Sequence, residues 1–473
     1  MTPRLHVDAA ARSRIERGLA QVRADFDLPE AFPASVDAEA VAVRDRYARV
    51  RVDRRDLALQ TLDPAGSRDL DQAFAIERRG DGWRVRYAIA DVAAAVAPAG
   101  ALDAEAWTRG VTVYLPDGRV TLHPTALSEG RASLLPGQDT PVLLWSIDLD
   151  DSGARTAVRL ERALVRSRAQ LSYTDAQAQL DAGTADAALQ ALRDVGGLLA
   201  EQEAARGGVS LNLPDQEVER TATGYRLRFD RPTAVEEHNA RLSLLVGMAA
   251  AELMVDAGVG VLRTLPPAER DALAALRATA ARIGVTWPAD VGYAAWIRSI
   301  DSAAPRGVAV LTQALQTFRG AGYETFTRPP ATTPVHAALA APYAHVTAPL
   351  RRLVDRYAGQ IALDVAQDRP VTDWAVARLE ELPSVMTKAA QRTAAIDRAV
   401  LDLVEAVILT GRQGQVFDAV AVGNRKGTTV IHLLDPAIVA TLPDGVDVPL
   451  GTVVPVRLEG ADVDAGRVRF VPA

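Results

Sequence analysis

Three carboxylates fall within nine residues in the stretch Asp63-Pro-Ala-Gly-Ser-Arg-Asp69-Leu-Asp71, which holds one arginine and is followed by Gln72. Acids packed this closely repel one another unless a cation lies among them. Apolar alternation over Leu57–Leu62 predicts a strand, and Phe74-Ala-Ile76 opens another, so the acids fall on the connecting turn. An extended backbone from Asp69 to Asp71 would turn both carboxylates the same way. Hard oxygen ligands on such a loop suit magnesium, which keeps several waters and takes its other ligands from one or two carboxylates and substrate phosphate. A phosphodiester substrate follows from that chemistry. The bland alternative is a solvated turn, since Asp, Ser, Pro and Gly build turns everywhere. A calcium loop of the EF-hand kind fits poorly, because only Asp69 and Asp71 match its alternation of acids.

A second constellation is Tyr343-Ala-His-Val-Thr-Ala-Pro-Leu-Arg351-Arg352-Leu-Val-Asp-Arg356-Tyr357. Thr347 reads as a helix N-cap and Pro349 as a first-turn residue, with Arg351 and Arg352 close to the positive end of the helix. Helix amides and two guanidinium groups make an anion site. An ordinary capped helix with solvated arginines accounts for the same residues, and His336 and His345 read as packed or solvated side chains.

At 473 residues, with 48% hydrophobic residues and a mean hydropathy of +0.02, the chain has the makings of two or three globular domains. There is no cysteine, which excludes disulfides, thiol catalysis and thiolate metal sites, and six scattered histidines argue against a zinc cluster. No run of eighteen apolar residues and no apolar leader follow Met1, so a cytoplasmic protein without a membrane span is expected. The net charge of −7 is a whole-chain sum. From Pro305 to Tyr357 six arginines stand against two acids, a local excess of +4 that could line a phosphate path. The chain has two lysines, Lys388 and Lys426, and this preference for arginine suits bidentate phosphate contacts, although a GC-rich coding bias would produce it too.

Along the chain, residues 1–50 read as a small helical module such as a helix-turn-helix, with helical stretches Val7–Phe26 and Val36–Val50. A strand-rich part from Arg51 to Leu164 follows, then helical patterns from Thr174 to Gly411 interrupted by a strand pair near Gln216–Arg228. From Val371 to Leu409 the helical pattern is broken only at Pro383. Short strands at regular spacing after Gly414 suggest a small barrel of the oligonucleotide-binding kind.

Taken in order, Asp63 to Asp71, Tyr87-Ala-Ile-Ala-Asp91-Val, Val113-Tyr114-Leu-Pro116, Leu171-Ser-Tyr173 and Val346-Thr-Ala-Pro-Leu-Arg351-Arg352 resemble the successive motifs of the ribonuclease II/ribonuclease R family. The resemblance covers residues 55–400, and the terminal barrel is similar to the family's RNA-binding domain. It implies an α+β fold: a helical module over 1–50, an RNB-type catalytic domain of mixed sheet and packed helices over 51–410, and an OB-fold barrel over 411–473. It also implies a processive 3′-to-5′ exoribonuclease that degrades single-stranded RNA to nucleoside 5′-monophosphates and a short end product. By position, Asp63, Asp69 and Asp71 match metal-site acids, with Gln72 in the place of a fourth. One or two magnesium ions, replaceable by manganese, are the implied cofactor. Asp71 and Arg351 take the catalytic roles, with Arg351 supporting the scissile phosphate. Tyr114 and Tyr173 match aromatics that pack on the 3′-terminal bases, and Arg351 and Arg352 contact the RNA. No obligate protein partner is implied.

Three departures bear on activity. Gln72 can offer an oxygen but no charge. The family's glutamate on a nearby helix has no counterpart in Arg241–Met248; Glu236 and Glu237 nearby could substitute, although nothing in the sequence requires it. The N-terminal fifty residues leave no room for the paired cold-shock barrels of bacterial members. An RNA-binding relative with a decayed nuclease site is therefore the alternative expectation.

Overall fold

The computed structural model describes residues 9–211, 213–221, 224–425 and 427–473. Lys426, Val7 and two residues of the expected strand pair, Ala222 and Thr223, lie outside the described residues. The strand-rich part forms β1 (Val52–Asp53), β2 (Gln60–Asp63), β3 (Gln72–Arg79), β4 (Gly82–Ala90), a small hairpin of β5 (Val113–Leu115) and β6 (Gly118–Val120), then β7 (Asp139–Leu149), β8 (Arg155–Arg166) and β9 (Ala169–Ser172). Seven of these make one mixed sheet in the order β1-β8-β7-β4-β3-β2-β9. Its centre is an antiparallel meander, while β9 runs parallel to β2 and β1 parallel to β8.

Strand alternation sorts the two faces. Trp83, Val85, Tyr87 and Trp145 point into a core shared with the helices Ala234–Ala257 and Leu353–Ala366, and Ala88, Ala90 and Leu144 point into a second core on the opposite face. A sheet covered on both sides has little freedom to slip, because a shift of one residue would exchange the faces. That rigidity fixes the ends of β2 and β3, between which the acids lie.

The N-terminal helices divide between two cores. Ile15, Leu19 and Val22 of the helix Ala9–Asp25 pack with Ile396, Val400 and Val404, whereas Val36 and Ala40 of Ala34–Ala42 join the second face of the sheet. The C-terminal strands form a five-stranded antiparallel sheet in the order Val439–Thr441, Thr428–Leu433, Val416–Arg425, Val453–Asp462, Arg467–Pro472, whose first and last strands come into contact. This sheet and the N-terminal helix both pack on the long helix Leu382–Leu409. Pro383 sits in the first turn of that helix and starts it, since a missing amide costs nothing there.

Candidate active site

Asp63 ends β2 and Gln72 begins β3, so residues 64–71 form the connection. The connection is pinned from several sides. The Ser133 hydroxyl accepts from the Leu70 amide at 3.0 Å and donates to the Arg68 carbonyl at 2.6 Å, the Leu134 amide donates to the Leu70 carbonyl at 3.0 Å, and Gln170 reaches the Ser67 carbonyl at 2.7 Å. Gly66 takes φ of +82°, the left-handed conformation that lets the turn close. The carboxylates are thus held by a braced loop, which a solvated turn does not require.

The second constellation meets this loop across the sheet. Leu350 donates its amide to Asp71 Oδ1 at 2.7 Å, and Arg351 donates Nε to Asp71 Oδ2 at 2.7 Å, across a separation of 280 residues. Asp71 is buried, while the Arg351 side chain is 38% exposed, so the guanidinium spans from the acid to solvent. The expected helix start is not where the sequence put it. The helix begins at Leu353, and Thr347 bonds the Ser243 hydroxyl at 2.8 Å instead of capping. Residues 348–352 form a turn, fixed by Asp355 accepting from the Ala348 amide and from Arg352, because Pro349 disfavours the helical conformation at the residue before it.

Arg352 is therefore turned to Asp355, at 2.8 and 2.9 Å, and Arg356 is buried against Asp103. Of these three arginines, Arg351 alone pairs with an acid of the 63–71 cluster. Asp91, from the Tyr87–Asp91 motif, is likewise structural, since its Oδ2 accepts from Arg51 and Arg162, both at 2.9 Å.

Asp69 is held by the β5–β6 hairpin. Arg119 Nη1 donates to its Oδ1 at 2.7 Å, and the Tyr114 hydroxyl donates to Oδ2 at 3.3 Å. Tyr114 is 48% exposed, and burial is the main cause that pushes its hydroxyl up to about 12, so it stays a donor. Tyr173 opens the helix Tyr173–Asp181 directly after Ser172, the register partner of Asp63, and its hydroxyl accepts from Asn239 at 3.2 Å. The site thus gathers Asp63, Asp69, Asp71, Tyr114, Tyr173 and Arg351. Arg119 was not legible as a member, because nothing local in Asp117-Gly118-Arg119 announces a partner fifty residues away.

Gln72 and Tyr87 form a separate pair: the Tyr87 hydroxyl donates to the Gln72 side-chain oxygen. Burial raises the Tyr87 pKa first of all, and Tyr173 and Asp63 add to the rise. Neither proposed substitute for the missing glutamate is free. Glu236 closes a capping box with Thr233, and Glu237 pairs with Arg241 at 3.2 Å.

Asp63 differs from the other acids in having no hydrogen-bond donor among the described residues. Burial pushes its carboxyl up to about 7 against the opposing charge of Arg351, and Asp71 and Asp69 push it further. The Asp71 carboxyl is pushed up to about 6, again by burial first. Among the described residues no group of three or more His, Asp or Glu side chains is disposed as a ready-made metal cage. The donor set nevertheless fits a hard divalent ion that takes one or two carboxylates, because Asp63 has no hydrogen-bond donor among the described residues and feels the charge of Asp71. It fits a second ion less well, because Gln72 brings no charge beside Asp71.

Among the described residues no helix is long and apolar enough to cross a membrane. Residues 51–365 match the RNB domain, and residues 415–473 match the RNase II-type exonuclease C-terminal S1 domain. Ribonuclease R of Escherichia coli (strain K12) is 28% identical over 351 residues, covering 70% of this chain and 42% of that protein. The chain thus aligns with about two fifths of the length of that curated relative. Mycoplasma genitalium RNase R, in a structure with ribose-methylated single-stranded RNA, superposes with a TM-score of 0.87 at 19% identity over 97% of this chain and 78% of that one. Yeast Ssd1, a pseudonuclease, superposes with a TM-score of 0.72 at 16% identity over 94% of this chain and 57% of that one. The fold is therefore common to nucleases and a pseudonuclease, and the site residues must carry the distinction. With the RNB match covering more than half of its length, the chain belongs to the RNB-type exoribonuclease family.

Proposed function

We propose that this protein is a magnesium-dependent hydrolytic exoribonuclease that shortens single-stranded RNA from its 3′ end and releases nucleoside 5′-monophosphates. The observation that carries the reading is the contact of Arg351 with Asp71, which joins two sequence-distant motifs at one buried acid. A divalent ion held by Asp63 and Asp71 would lower the pKa of a bound water and offset charge on the phosphate. Arg351 keeps its Nε on Asp71, leaving its terminal nitrogens to bind the non-bridging oxygens of the scissile phosphate. Tyr114 offers an exposed ring on which a terminal base stacks without regard to its identity, worth ~1–3 kcal/mol per base. Tyr173, beside Asp63, supplies a second aromatic wall. The C-terminal sheet supplies an RNA-binding surface consistent with its S1 match.

Incubation of single-stranded RNA with the full chain and magnesium, followed by chromatography of the small products, tests this reading. Nucleoside 5′-monophosphates are expected, and nucleoside 3′-monophosphates would contradict it.

The second reading is an RNA-binding protein whose nuclease chemistry is lost. Gln72 in place of an acid and the engagement of Glu236 and Glu237 in local contacts favour it. Asp71 and Arg351, still in contact, weigh against it.

A further inference from the structure

Arg119, which takes no part in the proposed hydrolysis, holds Asp69 more closely than Tyr114 does, at 2.7 Å against 3.3 Å. It stands on β6 in register with Tyr114 on β5, and its guanidinium bridges two acids, Asp69 Oδ1 at 2.7 Å and Glu129 Oε1 at 2.7 Å. With Tyr114 on Oδ2, both oxygens of Asp69 are engaged by one hairpin. The Arg119 side chain remains 24% exposed.

We propose that Arg119 is a positioning residue that makes metal capture conditional on RNA: it acts as a resident cation on Asp69 and leaves that acid for a backbone phosphate when RNA enters. The inference rests on the nuclease reading of the site. A guanidinium and a divalent ion compete for the same carboxylate, so the RNA-free site holds metal weakly. An entering phosphodiester offers the guanidinium an equally good bidentate partner, and Tyr114, paired with Arg119 across the hairpin, reports the arrival of a base. Asp69 is then released to the ion. By linkage, metal must strengthen RNA binding by the factor with which RNA strengthens metal binding.

The test is binding of manganese(II), followed by electron paramagnetic resonance on the full chain, with and without a phosphorothioate-linked single-stranded RNA oligomer that resists hydrolysis. The wild-type chain should bind the ion about tenfold more tightly with the oligomer, within the usual range of coupling between two sites. Arg119→Gln should bind it about tenfold more tightly without the oligomer and lose most of the coupling, while Arg119→Lys, which keeps the charge, should stay near wild type. Arg119→Gln with unchanged RNA-free affinity and intact coupling would overturn the inference and leave the nuclease reading standing. No manganese binding by any of the proteins would overturn both. Should Arg119→Gln fail to fold, Arg119→Lys and the wild-type chain still decide: an ion affinity indifferent to the oligomer contradicts the proposal.

Discussion

Arg351 Nε lies 2.7 Å from Asp71 Oδ2, and the adjacent Leu350 amide takes the other oxygen of the same carboxylate. A turn built from one motif therefore fixes both the acid and the arginine of the proposed chemistry. Asp71→Asn keeps an oxygen for one of these donors and removes the charge that holds metal. Hydrolysis should fall at least about 100-fold, the usual scale for deleting one electrostatic element of a site. Single-turnover cleavage with filter binding on the same samples checks this, with RNA affinity expected to stay within a factor of about three, or ~0.6 kcal/mol. Strong residual turnover would remove Asp71 from the mechanism.

The raised carboxyls of Asp63, about 7, and Asp71, about 6, set a pH dependence whose sign can be worked out. Their folded-state values exceed the unfolded range near ~4. Between the two, the folded chain holds protons that the unfolded chain has released, so metal-free stability should fall as pH rises from about 4 to about 7. A bound cation offsets the charge that forms, and magnesium should therefore raise the melting temperature more at pH 8 than at pH 5. Melting curves with magnesium and with chelator at both values test this, and an equal shift at the two would contradict it. Asp63→Asn should flatten the difference.

These acids illustrate what could be read before the fold was known. Asp63, Asp69 and Asp71 are crowded in sequence, and crowding is a local signal. Arg351 stood out through its position after Pro349, although the helix starts at Leu353, because Asp355 ties residues 348–352 into a turn. Contacts between distant segments left no trace in periodicity, which reports which face is buried and not against what. Arg119, Ser133 and the Tyr87–Gln72 pair went unseen for that reason. So did the antiparallel pairing of Gly260–Thr264 with Gly322–Phe326, two short strands in a helical part of the chain. Arg352 shows the converse: it stands next to Arg351 in sequence, yet the fold pairs it with Asp355.

Gln72 marks the difference between a weakened and a decayed site. Its oxygen accepts from Tyr87, whose hydroxyl feels the charge of Asp63. Gln72→Asp would add a carboxylate directly after Asp71 and leave Tyr87 a partner to donate to. The magnesium concentration for half-maximal cleavage should fall severalfold, by about 3- to 10-fold for ~1 kcal/mol of added attraction. A titration of initial rates against magnesium reads this directly, and an unchanged midpoint would mean that residue 72 does not contribute to the metal site.

Tyr114 presents an exposed ring while its hydroxyl holds Asp69. Tyr114→Ala should lengthen the final undigested fragment, because losing a stacking platform worth ~1–3 kcal/mol lets short RNA dissociate sooner. Tyr114→Phe keeps the ring and should leave that length unchanged. Fragment sizing on a high-resolution gel separates the two variants; equal lengths in Tyr114→Ala and wild type would take the ring out of the RNA clamp.

The joined Asp71 and Arg351 motifs are proposed to form a working nuclease. Digestion of a 5′-labelled single-stranded RNA, with magnesium and with chelator, beside Asp71→Asn, tests it most directly. Magnesium-dependent loss of the full-length band is expected, with a short 5′ fragment accumulating for the wild type and none for the variant. Intact RNA that still shifts on a native gel would contradict it and establish the chain as an RNA-binding protein without nuclease chemistry.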